Sequence, residues 1–183
     1  TNYNEGDIAG TDDYIGIIPT YFSLCPSVGV DAVLAVAQMI HETGNLCSFW
    51  SARGRGINKQ RNAAGIGVTG DHKRFKPKDA TYWAYNPSKR WWEAGNGFAT
   101  WSDDSIPAQV GRLLAYALHP TVGTPVQRAL IDKALAYRPL PLICQGSAPT
   151  IRLLGSGPNE VPTCGWAGAG DAGGMDYGEH IAT

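Results

Sequence analysis

The sequence predicts an α+β chain, mainly α, in which helices flank a β-rich insertion at about residues 62–101. Three observations predict it. Apolar residues recur at helical spacing up to Gly44 and again after Ser102. Between these stretches, Asn62 to Trp101 is rich in Gly, Lys and aromatics and reads as short strands and loops. Helix signals stand at both borders: Gly44 can take the left-handed stop conformation, and Ser102-Asp103-Asp104 reads as an N-cap followed by an acidic first turn. No repeat or linker interrupts the 183 residues, so one domain over 1–183 is expected.

Taken in order, Asp12 to Leu24 reads as a first helix, started by Thr11 or Asp12 and disturbed by Pro19. Its expected apolar face is Tyr14, Ile17, Ile18, Tyr21 and Phe22, and Cys25-Pro26-Ser27 breaks it. Val30 to Gly44 is the stretch around which the chain is organised. Val30, Val33, Leu34, Ala37 and Ile40 form its expected stripe, and Asp31 suits the positive end of the dipole. Ser48 to Arg61 reads as a loop. Within the insertion, Gly65 to Thr69 and Thr81 to Tyr85 are the short β-like runs. The helix after Ser102 carries Ile106, Val110, Leu113, Leu114 and Leu118 inward. Thr124-Pro125 opens another, with Val126, Leu130, Ile131 and Leu135 as its core face and Pro139 and Pro141 as its stop. Ala148 to Leu154 reads as one more short helix, and the Gly-rich tail after Gly155 is expected to return and wrap the domain.

Charge is uneven although its sum is −1. Residues 1–50 hold six acids and no Lys or Arg, whereas residues 51–100 hold ten basic residues against three acids. A basic middle beside an acidic start points to an anionic polymer, with ordinary solvated surface as the plain alternative. Nucleic acid fits less well, because the basic residues are spread out and the pI is near 6.4. No apolar run approaches the ~20 residues of a membrane span. Residues 1–10 are polar and acidic, unlike a signal peptide, which fits a mature secreted protein or a module of a longer one. Cys25, Cys47, Cys144 and Cys164 form no Cys-x-x-Cys pair. They fit one or two disulfides in an oxidising compartment, with three full pairings open.

Glu42 is the candidate catalytic acid. It closes a hydrophobic helix at the end where the dipole disfavours a carboxylate, and apolar neighbours add to that. Both effects raise a carboxyl pKa, as a general acid near neutral pH requires. His41-Glu42 is not a zinc-protease motif, because position 45 is Asn where the second His must stand. Gly65-Ile66-Gly67-Val68-Thr69-Gly70 matches the dinucleotide fingerprint in letters only, since no buried strand precedes it and no apolar helix follows. A tight turn with close backbone approach is the better reading. No Gly-x-Ser-x-Gly elbow supports a nucleophilic hydrolase. The aromatics, Trp83, Trp101, Trp166 and Tyr177 among them, suit sugar ring faces, although core packing accounts for about half of such residues.

These residues resemble a known family. Ala37-Gln38-Met39-Ile40-His41-Glu42-Thr43-Gly44 is similar to the catalytic helix end of the bacterial glucosaminidases of glycoside hydrolase family 73. Asn62-Ala63-Ala64-Gly65-Ile66-Gly67 resembles the family's Asn-x-x-Gly-Ile segment. Phe98-Ala99-Thr100-Trp101-Ser102 resembles its Phe-x-x-Tyr-Ser entry to the next helix, and Trp166-Ala167 with Asp176-Tyr177-Gly178 and Ile181 resembles its closing segment. The four motifs run in order over about residues 28–181.

The resemblance implies a lysozyme-like fold and cleavage of the β-1,4 bond after N-acetylglucosamine in peptidoglycan. It makes Glu42 the acid and Tyr177 a residue that positions or stabilises the reacting sugar. Asn62, Gly65, Ile66, Trp83, Trp101 and Trp166 are the candidate substrate-binding residues, and no cofactor or metal is implied. A secreted monomer acting on the cell wall is expected. One departure concerns a second carboxylate, absent from Tyr82-Trp83-Ala84-Tyr85-Asn86, where the family often has one. Asp71, Asp79 and Glu93 are the alternatives. A facing carboxyl at ~5 Å predicts retention and one at ~6.5–9.5 Å inversion. With none, the substrate's acetamido group or a single-acid lytic cleavage serves. Other readings are a transglycosylase or muramidase on the same scaffold, and a non-catalytic glycan-binding module.

Overall fold

The structure is a computed structural model. It describes residues 16–51, 60–78, 82–155, 157–159, 161, 163–167 and 176–182. The architecture is α+β and mainly helical, with a three-stranded antiparallel sheet between the second and third helices. Among the described residues, no helix is long and apolar enough to cross a membrane.

Helix α1 spans Ile17–Ser27 and buries Ile17, Tyr21 and Cys25, one residue per turn. Ile18 and Phe22, expected on the apolar face, are exposed, and the expected start at Thr11 or Asp12 and Tyr14 lie outside the described residues. Pro19 does not disturb the helix because it stands in the first turn, where an N–H has no helical acceptor. Pro26 lies inside the last turn rather than before a break. The N–H groups of Val28 and Gly29 turn back to the carbonyls of Cys25 and Pro26 and end the helix.

Helix α2 spans Ala32–Thr43. Asp31 caps it, accepting from the N–H groups of Val33 (2.8 Å) and Leu34 (3.2 Å). Gly44 ends it at φ +55°, in the left-handed region that favours glycine. The buried face is Ala32, Ala35, Gln38, Met39 and Thr43. This corrects the expected stripe, for Val33 is 62% and Ile40 41% exposed. The reason is a polar side chain turned inward: Gln38 is fully buried because partners on two other helices satisfy its amide. Once Gln38 faces the core, the helical period carries the small Ala35 inward and Val33 outward.

Strands β1 (His72–Lys73), β2 (Trp83–Asn86) and β3 (Trp91–Ala94) pair in the order β1-β3-β2. Tyr85 lies opposite Trp92 and Ala84 opposite Glu93. Alternation buries Ala84 and Asn86 on β2 and Trp92 and Ala94 on β3. The run Gly65 to Thr69 is not a strand. It turns, with the Val68 N–H bonded to the Gly65 carbonyl and positive φ at Gly65 (+60°) and Gly67 (+72°).

Helical structure resumes one residue before Ser102, at Trp101. The cap is Thr100, whose hydroxyl accepts from the Asp103 N–H at 3.0 Å. A π-helical turn, Trp101–Ser105, then leads into α3, Ile106–Ala117. Pro107 explains the widened turn: it has no N–H for the Asp103 carbonyl, which accepts from Lys133 Nζ instead. Helix α3 is buried on almost every side, through Ile106, Gln109, Val110, Gly111, Arg112, Leu114 and Tyr116 among others. Helix α4, Pro125–Tyr137, begins as expected at Thr124, in a capping box closed by Gln127. Its buried residues are Ile131 and Ala134, Leu130 and Leu135 are partly buried, and Val126 is exposed. Short 3₁₀ turns follow at Leu142–Cys144 and Ile151–Leu154, the latter ending the stretch expected as a helix. Gly155 and Ala167 form a parallel bridge, and the chain returns as α5, Tyr177–Ala182, against the Ile151–Leu154 turn and α2.

One disulfide joins Cys144 to Cys164, and takes neither the buried Cys25 nor the exposed Cys47. Burial, then the Asp31 charge, pushes the Cys25 thiol up to about 11, so it stays protonated at neutral pH. The bond spans 20 residues of the segment that carries Trp166 toward α2. Closing a loop of that length removes unfolded-chain entropy worth about 3 kcal/mol. Replacing both cysteines with Ser is expected to lower the urea midpoint; an unchanged midpoint refutes the expectation.

Candidate active site

Glu42 occupies the last turn of α2 and lines a small polar cavity of about 150 Å³ with Ala64, Gly65, Ile66, Arg112, Tyr116, Arg138, Gly165, Trp166 and Ala167. Two donors from the far end of the chain hold its Oε1. The Tyr177 hydroxyl donates at 2.5 Å and the Trp166 indole N–H at 3.1 Å. When Glu42 is ionised both are charge-assisted bonds, the stronger class. The other oxygen, Oε2, faces Gly65: a Cβ built there lies 3.3 Å from it. Gly65 also has φ +60°, so any side chain there is strained as well as pressed on the carboxylate.

The loop that presents Gly65 is shaped by Asn62. Its buried carboxamide oxygen accepts from the N–H groups of Ala64 (3.3 Å) and Ile66 (2.9 Å). Its amide nitrogen donates to the carbonyls of Ile66 (2.8 Å) and Asn96 (3.1 Å). Asn62 therefore works as a clamp on the 62–66 turn, with its side chain turned into the protein rather than into the cavity.

Tyr177 is itself positioned by a buried chain of amides. The Tyr21 hydroxyl donates to Gln109 Oε1, Gln109 Nε2 to Gln38 Oε1 (2.9 Å) and to the Ala35 carbonyl (3.1 Å), and Gln38 Nε2 to the Tyr177 oxygen (3.0 Å). Each donor points the same way, from α1 through α3 and α2 to α5 and so to Glu42. The pattern leaves Tyr177 one hydrogen to give, and it goes to Glu42. The His41 ring packs on the Tyr177 ring in a T-shaped contact at 5.7 Å. Tyr177→Phe removes the donor to Glu42 and orphans the buried Gln38 amide. It is expected to lower stability by about 1–3 kcal/mol. Chemical denaturation checks this, and a loss below about 0.5 kcal/mol contradicts it.

The structure thus brings Glu42, Tyr177, Gly65, Ile66 and Trp166 together. Trp101 lies in the core, 4% exposed. Trp83 lies on the sheet, with Lys73 Nζ 4.5 Å above its ring, and does not line the cavity. Of the alternative acids, Asp79 lies outside the described residues. Asp71 is exposed and accepts from the Thr69 hydroxyl at 2.9 Å. Glu93 pairs with Lys89 (3.4 Å) and accepts from Asn86 (2.9 Å) and Trp91 (2.8 Å). Burial pushes its carboxyl up, but these hydrogen bonds and the Lys89 charge outweigh it, and its pKa is lowered overall. Among the described residues lining the cavity, Glu42 is the one carboxylate. Among the described residues, no group of three or more His, Cys, Asp or Glu is placed to hold a metal ion.

Arg112, Tyr116 and Arg138 were not expected in the site, nor were Gln38 and Gln109 behind it. A signal existed for the glutamines: each is an uncharged polar residue inside an otherwise apolar helical run. Arg112, a charged residue inside the apolar run of α3, carried the same signal, and Arg138 carried none. A second cavity, about 570 Å³, lies between α2, α3 and the Ile151–Leu154 turn. It is larger but mostly apolar, and its one carboxylate, Asp31, is committed to capping α2. The smaller, polar cavity is therefore the candidate site. No protein-family model matches the sequence, no curated protein matches it, and no solved structure matches its fold.

Proposed function

We propose that the chain is a glycoside hydrolase of bacterial cell-wall glycan, an endo-β-N-acetylglucosaminidase with a lysozyme-like arrangement of a helical lobe and a small β-rich lobe. One observation carries the reading. Glu42, at a helix end in a polar cavity, is held through one oxygen by Tyr177 and Trp166, residues 135 and 124 positions away. Both belong to the closing segment through which the sequence resembles family 73. Tyr177 and Trp166 fix the orientation of the carboxyl group through Oε1, so that Glu42 presents its proton in one direction. General acid catalysis needs that proton aimed at the leaving oxygen. Tyr177, fixed by Gln38, holds the carboxyl plane while the proton leaves. The Cys144–Cys164 disulfide supports an extracellular or cell-wall setting, and the enzyme acts as a monomer.

The cavity lining favours a second reading in one respect. With Glu42 as its one carboxylate among the described residues, a single-acid route fits it. That route uses either the substrate's acetamido group or an internal attack that leaves an anhydro sugar, as in a lytic transglycosylase. Purified protein incubated with peptidoglycan, followed by mass spectrometry of the released muropeptides, tests both readings. Reducing N-acetylglucosamine ends support the glucosaminidase. Anhydro ends select the transglycosylase, and reducing muramic acid ends a muramidase. Wall binding without release leaves a glycan-binding module and refutes the enzyme.

A further inference from the structure

We propose that Arg112 and Arg138 form a carboxylate-binding subsite beside Glu42, so that the preferred glycan carries a carboxylate on the sugar next to the cleaved bond. The inference rests on the glycan-cleaving reading and adds a substrate class to it. Both arginines line the cavity that Glu42 lines. Arg112 comes from α3 and is 4% exposed. Its Nη1 donates to the Arg138 carbonyl at 2.8 Å. Its guanidinium lies 5.5 Å from the Tyr116 ring centre and 5.8 Å from that of Trp166, the tryptophan that also holds Glu42. Arg138 follows the last turn of α4 and is exposed.

Among the described residues, no carboxylate forms an ion pair with either guanidinium. Burying a cation without an anion is costly, and a second cation beside it adds repulsion. Burial, together with the Arg138 charge, shifts Arg112 below its ordinary value, in line with that cost. The ring faces and the one carbonyl recover part of it. A guanidinium has five donors in a planar fork; Arg112 uses one on the Arg138 carbonyl and another on the Tyr116 hydroxyl, which leaves donors for an anion. A carboxylate entering the cavity finds a fork that matches it and two positive charges, in the cavity that Glu42 also lines. The cavity volume of about 150 Å³ suits one small planar anion at the edge of a sugar.

The test is binding, measured by calorimetry on Glu42→Gln protein so that no turnover intervenes. The probes are the disaccharide N-acetylglucosaminyl-N-acetylmuramic acid, with its lactyl carboxylate free, and the same disaccharide with that carboxylate converted to the methylamide. The acid is expected to bind about tenfold more tightly than the amide, with a preference that shrinks as salt rises. Arg138→Gln, which keeps the backbone carbonyl that Arg112 uses, is expected to abolish the preference. Equal affinities for the two probes, binding of neither, or a preference that survives Arg138→Gln overturns the subsite. The two readings fail separately. Muropeptide release by the wild type without charge preference refutes only the subsite, and charge-selective binding without release refutes only the hydrolase.

Discussion

Glu42→Gln is expected to lower the rate of glycan cleavage by about 10²–10⁴-fold, the usual contribution of a positioned general acid. The substitution is nearly isosteric and keeps a carbonyl oxygen where Oε1 accepts from Tyr177 and Trp166. The fold and the cavity are therefore expected to survive, with a thermal midpoint close to that of the wild type. What is lost is the transferable proton. The readout is the appearance of new reducing ends from peptidoglycan under saturating substrate. A loss smaller than tenfold, in protein with an unchanged midpoint, removes Glu42 from the acid role.

Gly111→Val is expected to be a severely destabilising single change. Helices α3 and α4 meet at Gly111, where an added Cβ falls 2.0 Å from the Leu130 carbonyl oxygen and 3.1 Å from the Ala134 Cβ. The first neighbour is backbone within a helix and cannot swing aside. Replacing a mid-helix glycine gains at most about 1 kcal/mol of helix propensity, and less for a β-branched residue. Forcing a packed helix pair apart costs about 1–3 kcal/mol and sometimes more. The clash therefore wins, and valine adds two further methyls to it. A net loss of about 3 kcal/mol corresponds to a midpoint lower by about 6–12 °C for a chain of this size. Differential scanning calorimetry reads this directly, and a midpoint within about 2 °C of the wild type contradicts it.

Much of the layout was legible in the residues. Asp31 and Gly44 bracket α2 because a carboxylate can satisfy the first N–H groups and glycine takes a left-handed stop at little cost. Thr124-Pro125 opens α4 for equally local reasons. Which face of a helix turns inward was less legible. The hydrophobic stripe named Val33 and Ile40, yet α2 buries Gln38 and Ala35. Periodicity ranks side chains by transfer free energy, whereas a buried amide chain running Tyr21, Gln109, Gln38 and Tyr177 reverses the ranking once every partner is present. The same limit applies to Ser102, displaced as cap by Thr100 because Pro107 reshapes the turn ahead of it. The structural centre also moved. The sequence drew attention to the helix of Glu42, but the element buried on almost every side is α3.

By itself, the sequence determined that this protein is helical around a small β-rich insertion and that Glu42 closes a helix against a glycine. It also marked Gly65, Trp166 and Tyr177 as residues to find near that acid. These follow from local backbone preferences and from motifs in their order along the chain. Only the tertiary structure decided that one carboxylate oxygen is held by Tyr177 and Trp166 while the other faces Gly65. It alone brought Arg112 and Arg138 into the same cavity and set Asp71 and Glu93 among partners of their own on or beside the sheet. The physical reason is distance along the chain. Whether residues 112, 138, 166 and 177 come into one site with residue 42 depends on how the helices pack and where the chain returns, and no local period encodes that.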